Sequence, residues 1–142
     1  MDLSQTRSFP GCFASLDAIS QFFTDAAIIA KLGPRAVHAV QLAVEEASSN
    51  IIEHAYGGEG PQPIDCAFHI TDHGLTITFH DYGQSFDPHM VPEPDRSSRL
   101  EDRNVGGLGL YFIRQLMDEV RFQFESATGN TLTMVKYRER PS

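Results

Sequence analysis

With 142 residues, 41% of them hydrophobic and 10% aromatic, the chain is long enough to bury one core but too short to hold a second catalytic domain beside it. Its formal net charge of −8 excludes a direct nucleic-acid surface, because phosphate-backbone binding depends on clustered Lys and Arg. A phosphate-bearing ligand would have to be neutralised locally, by a divalent metal, backbone N–H groups or a few Arg residues.

The two cysteines, Cys12 and Cys66, lack metal-ligand or redox spacing and read as packing thiols. The first twelve residues have no apolar stretch of the signal-peptide kind, and no run approaches the ~20 apolar residues of a membrane helix. The expectation is a cytoplasmic protein with no membrane partner, folded as a single domain over residues 1–142.

In chain order, Ser15 is placed to cap a first helix, in which Leu16, Ile19, Phe23, Ala26 and Ile29 recur every three or four residues before Gly33-Pro34 ends it. A second helix carries Val37, Val40, Val44, Ala47 and Ile51 as its inward stripe and stops at Gly57-Gly58. The period then changes to two. Cys66, Phe68 and Ile70, then Leu75, Ile77 and Phe79, alternate with polar neighbours about an Asp72-His73-Gly74 turn, which predicts a β-hairpin.

A long irregular stretch from Pro88 to Asn104 follows, of the length that a compact domain keeps for function or disorder. A third helix starts near the glycine cluster Gly106-Gly107-Leu108-Gly109, buries Leu110, Ile113 and Met117, and ends before Val120. Val120, Phe122 and Phe124 then alternate as a strand, Thr128-Gly129-Asn130 turns the chain, and Leu132 to Tyr137 form the last strand. Helix, helix, two strands, loop, helix, two strands predicts an α+β fold, a two-layer α/β sandwich with helices on one face of a mainly antiparallel sheet.

Three segments carry candidate chemistry. Glu46 and Asn50, four residues apart, share one face of the second helix, roughly 100° around from the apolar stripe and therefore on a flank that can line a pocket. An Asn50 oxygen is a fitting Mg²⁺ ligand, and a Glu46 carboxylate can take a proton from a hydroxyl or water. Glu45 is turned away from Asn50, whereas Glu53 lies near it. Asp81, at the end of the hairpin, can accept a hydrogen bond from an exocyclic amine, and Gly83 lets a flat ring approach the backbone, a description that adenine satisfies.

The glycines at 106, 107 and 109 each cost a helix about 1 kcal/mol relative to Ala, a cost with a purpose if phosphates sit against free N–H groups at the helix's positive end. The cluster is neither a dinucleotide fingerprint nor a P-loop, since it follows no strand directly and no Gly-Lys-Ser/Thr is present.

Taken one at a time, each segment is also compatible with ordinary structure: a solvated helix face, an Asx-capped turn, a hinge before a helix. Their joint occurrence in this order, with a long Pro-rich, charged loop between the second and third, resembles the GHKL (Bergerat-fold, histidine-kinase-like) ATPase superfamily. The stretches Val44 to Tyr56 and Gly107 to Val120 are similar to the bacterial anti-sigma factor serine kinases of the RsbW and SpoIIAB type.

That resemblance implies Glu46 as general base, Asn50 as Mg²⁺ ligand, Asp81 on the adenine amine with Gly83 shaping its pocket, and Gly107, Leu108 and Gly109 around the phosphates of ATP. It implies an ATP lid from about 89 to 105, with Arg96, Arg99 and Arg103 as candidates for the γ-phosphate, and Thr131 near the adenine. It departs from the family at Gly129-Asn130-Thr131, where Asn separates a Gly and Thr expected to be adjacent.

The implied partners are a STAS-domain anti-sigma factor antagonist, phosphorylated on Ser or Thr, a competing sigma factor, and a second copy in a homodimer. The implied activity is ATP-dependent protein serine/threonine kinase and anti-sigma factor; the alternative is a non-catalytic ATP-gated binding switch of the same fold. A sensor histidine kinase is disfavoured because His38 and His54 both fall within the second helix, and a MutL-like ATPase because the chain has no room for the additional domain.

Overall fold

The computed structural model describes residues 2–84, 112–125 and 127–138. Its sheet has five strands among these residues: β1 (Leu3–Pro10), β2 (Pro63–Ile70), β3 (Gly74–Asp81), β4 (Glu119–Glu125) and β5 (Gly129–Tyr137), in the spatial order β1-β2-β3-β5-β4. Every neighbouring pair is antiparallel. Two helices, α1 (Leu16–Ile29) and α2 (Pro34–Asn50), cover one face. This is the expected two-layer α+β sandwich.

Strand alternation sorts the residues. On the covered face, Ile64, Cys66, Phe68 and Ile70 of β2 meet Leu75, Ile77 and Phe79 of β3 and Leu132 and Met134 of β5, all buried. Phe23 of α1, with no exposed surface, packs 5.0 Å from Phe22 edge-on and 5.1 Å from Phe79, which pins the helix to the sheet centre. The other face is polar, with Asp65, Thr76, Thr78, His80, Thr131 and Thr133 presented along β2, β3 and β5.

The structure adds β1, which the sequence pattern did not predict. It lies antiparallel along β2 from Leu3 opposite Ile70 to Pro10 opposite Pro63, and Arg7 sits over the ring of Phe9 at 5.0 Å. Ser15 does occupy the N-cap position of α1, but its hydroxyl makes no capping bond and instead lies 3.6 Å from Cys12 Sγ. Ile29, expected on the inward stripe, is 52% exposed, because α1 is in its last turn there and the chain is already leaving the sheet. Phe124 is likewise exposed, near the end of an edge strand.

The third helix is described over 112–116, with Ile113 and Met117 buried and the chain extended again by Glu119. Cys12 and Cys66 are free thiols, and burial pushes the Cys66 thiol up to about 12.

Candidate functional site

Helix α2 ends at Asn50 and continues without a break into a π-helical turn over Ile51–Ala55, closed by Tyr56 N–H donating to Ile51 O at 2.9 Å. π-turns are rare and concentrate at functional sites. This one brings the Ala55 carbonyl out to meet the chain that follows β3, where it accepts from Gln84 N–H at 2.8 Å. A Cβ on Gly83 would sit 2.3 Å from that same oxygen, so glycine is required by backbone contact with the π-turn. The helix end carrying Asn50 and the strand end carrying Asp81 are thereby locked together.

A narrow cleft opens between them, walled by Ala47, Asn50, Ile51 and Ala55 on one side and Asp81, Asn130, Leu132, Phe122 and Ile113 on the other. Its free volume is about 20 Å³, room for about one water, so a ring-sized ligand requires lining side chains to move. A larger depression of about 870 Å³ lies at the opposite end of the sheet, around Asp72, Glu119 and Arg138, and contains none of the candidate residues.

Asp81 is 4% exposed and accepts two hydrogen bonds on Oδ1, from Gly83 N–H and Asn130 Nδ2, each 2.9 Å. Burial raises its pKa above the ordinary Asp value; the Asn130 and Gly83 hydrogen bonds and the nearby His80 pull the other way. On α2, Glu46 is half-buried, and its carboxyl is also raised, first by burial and then by the like charges of Glu45 and Glu53. Asn50 is buried and its Nδ2 has no hydrogen-bond partner.

Thr131 stands opposite His80 in the β3–β5 ladder, and its hydroxyl is 2.8 Å from His80 Nδ1. His80 Nε2 is 2.6 Å from the Thr128 carbonyl, which can only accept, so in the neutral ring Nε2 carries the hydrogen and Nδ1 accepts from Thr131. Successive strand residues face opposite sides, so Thr131 lies on the polar face, away from Asp81. Its neighbour Asn130, directly opposite Asp81, lines the cleft, as does Leu132 two residues on along β5. The signal that finds it is the parity of the strand pair, which composition and motif spacing do not carry.

Gly107, Leu108 and Gly109, the lid from about 89 to 105, and Arg96, Arg99 and Arg103 lie outside the described residues. Among the described residues no helix is long and apolar enough to cross a membrane.

A helix amide and a strand-end carboxylate thus line one cleft, beneath helices packed on one side of an antiparallel sheet. Residues 9–136 match the model of the histidine kinase-like ATPase domain, and the chain belongs to that family.

Among curated proteins it is similar to the serine-protein kinase RsbW of Halalkalibacterium halodurans, with 36% identity over 71% of this chain and 62% of the relative. The corresponding kinase of Bacillus licheniformis is 35% identical over 71% of this chain and 64% of the relative. The chain thus spans less than two thirds of the length of these relatives. A solved structure of the RsbU and RsbW domains of a Mycobacterium tuberculosis protein shares the fold, with a TM-score of 0.67 at 14% identity over 99% of this chain and 34% of that one.

Proposed function

We propose that the chain is an ATP-dependent protein serine/threonine kinase that phosphorylates a STAS-type anti-sigma factor antagonist and, by holding a sigma factor, regulates transcription. The observation that carries this reading is the cleft. A buried carboxylate, Asp81, shares the cleft with a buried amide with an uncommitted nitrogen, Asn50, one helical turn from a half-buried Glu46. The names of the relatives, serine-protein kinases, support the same reaction.

The residues fit Mg-ATP. Amide oxygen and nitrogen exchange places by rotation, so Asn50 can turn its oxygen to a cation. Mg²⁺ is commonly held by few protein groups together with substrate phosphates, so a single Asn50 oxygen would be a sufficient protein ligand. When bound there, Mg²⁺ neutralises phosphate charge. Asp81 receives the exocyclic amine of the base. Glu46 orients the attacking Ser or Thr hydroxyl and takes its proton as the new O–P bond forms and ADP departs. Gly107, Leu108 and Gly109 would supply N–H groups to the phosphates.

The test is a Glu46→Ala variant incubated with Mg-ATP and a candidate STAS-domain antagonist, read by mass spectrometry alongside an ATP-binding measurement. The expected result is binding retained and phosphoryl transfer lost. Transfer at the unmodified rate would remove Glu46 from the reaction. Absence of any phosphorylated product from the unmodified chain, despite tight ATP binding, would instead leave an ATP-gated binding switch.

A further inference from the structure

Asn130 is 2% exposed, and its amide is committed on one side only. Nδ2 donates to Asp81 Oδ1 at 2.9 Å and to Gln84 O at 2.8 Å, so both amide hydrogens are used. Neither of those oxygens can donate while Asp81 is ionised, so the amide cannot be flipped without setting oxygen against oxygen twice. Its Oδ1 is therefore fixed as the free end, buried and without a hydrogen-bond partner.

Asp81 Oδ1 is occupied by Gly83 N–H and Asn130, and among the described residues Oδ2 accepts nothing. Two acceptors, on directly opposed residues of β3 and β5, thus stand unfilled at one cleft. A threonine, which the family resemblance expects beside the glycine, could not produce this. A hydroxyl has one hydrogen, whereas the amide satisfies Asp81 and Gln84 together and still presents an oxygen.

We infer that Asn130 is a specificity-determining residue, its Oδ1 forming with the Asp81 carboxylate a two-acceptor seat that reads both hydrogens of an unsubstituted exocyclic amino group. The inference rests on the nucleotide-binding reading above and deepens it. An adenine amine, with two N–H groups, fills both acceptors. A base bearing an oxo group there sets oxygen against oxygen, and an N6-alkylated adenine leaves one acceptor buried and unpaired. Unpaired buried acceptors are what lets a polar site discriminate strongly, since each forfeits about tenfold or more in affinity.

Isothermal titration of the 142-residue chain with ATP, N6-methyl-ATP and inosine triphosphate, repeated on Asn130→Thr, tests the seat. The unmodified chain should bind N6-methyl-ATP about tenfold or more weaker than ATP, and inosine triphosphate weaker still. Asn130→Thr should bind ATP more weakly while its preference for ATP over N6-methyl-ATP falls to about threefold or less, as expected for a pair that no longer interacts.

Equal affinity of the unmodified chain for ATP and N6-methyl-ATP would overturn the inference. So would full discrimination retained by Asn130→Thr, which would assign the selection to the cleft walls. Should Asn130→Thr fail the circular-dichroism check for folding, Asn130→Ser carries the same comparison. No binding of ATP to the unmodified chain would sink the nucleotide reading itself, a result distinct from ATP bound without discrimination.

Discussion

Glu46 illustrates how a residue's neighbourhood decides what it can do. On an isolated helix a glutamate is solvated and fully ionised at neutral pH. Here burial, and then Glu45 and Glu53, raise its carboxyl above the ordinary value of 4.5, which makes it a better proton acceptor at physiological pH. A base must be deprotonated to act, so phosphoryl transfer should fall away as pH drops through this raised value, earlier than an ordinary glutamate would allow. Glu45 is exposed, and Glu45→Gln removes one like charge without disturbing packing. The acid limb of the pH–rate profile should then move to lower pH. A limb that stays in place would show that another group titrates. Asn50, by contrast, is distinguished by what it lacks, a partner for a buried Nδ2, and sequence spacing could find the residue without finding that fact.

The elements differ in how far their residues announced them. The hairpin of β2 and β3 was legible because its inner positions are uniformly apolar, and α2 because Val40, Val44 and Ala47 repeat at helical spacing. β1 was not, since the residues facing the helices are Leu3, Gln5, Arg7 and Phe9, and two polar side chains in the middle erase the period of two. An edge strand tolerates this, as solvent reaches it from the side. The π-turn after Asn50 left no mark in the pattern either, because one extra residue in a single turn does not change a hydrophobic stripe. Thr131 and Asn130, one residue apart in β5, stand on opposite faces of the sheet, a parity that motif spacing does not carry. What fixes that register is Gly129, with φ of +102° and no room for a Cβ, which would lie 2.1 Å from the Asp81 carbonyl oxygen. Gly129→Ala should cost about 2–4 kcal/mol in chemical denaturation, because strain and contact add at a site that cannot relax. A loss below about 0.5 kcal/mol would mean that β5 can shift along β3.

For the molecule as a whole, the cleft sets stability against function at Asp81. Its folded pKa is raised, chiefly by burial. Below the ordinary Asp range both folded and unfolded chains hold the proton. As pH rises the unfolded chain releases it first, so the fold loses stability through the window from that range up to the raised value and stays lower above it. Asp81→Asn keeps an Oδ1 to accept from Gly83 and Asn130 but carries no charge to desolvate. The variant should therefore be the more stable protein at neutral pH, by on the order of 1 kcal/mol, with the advantage shrinking as pH falls through the same window. A bound ligand reverses the ranking. ATP at ~100 times its Kd should add about 2.7 kcal/mol to the unmodified chain, raising its Tm by roughly 5–15 °C. It should add little to Asp81→Asn, whose Nδ2 would point a donor at the donor of the base. Thermal melts of both proteins, with and without Mg-ATP, should therefore cross: the variant melts higher without nucleotide and the unmodified chain melts higher with it. Equal nucleotide shifts in the two proteins would show that Asp81 does not contact the base.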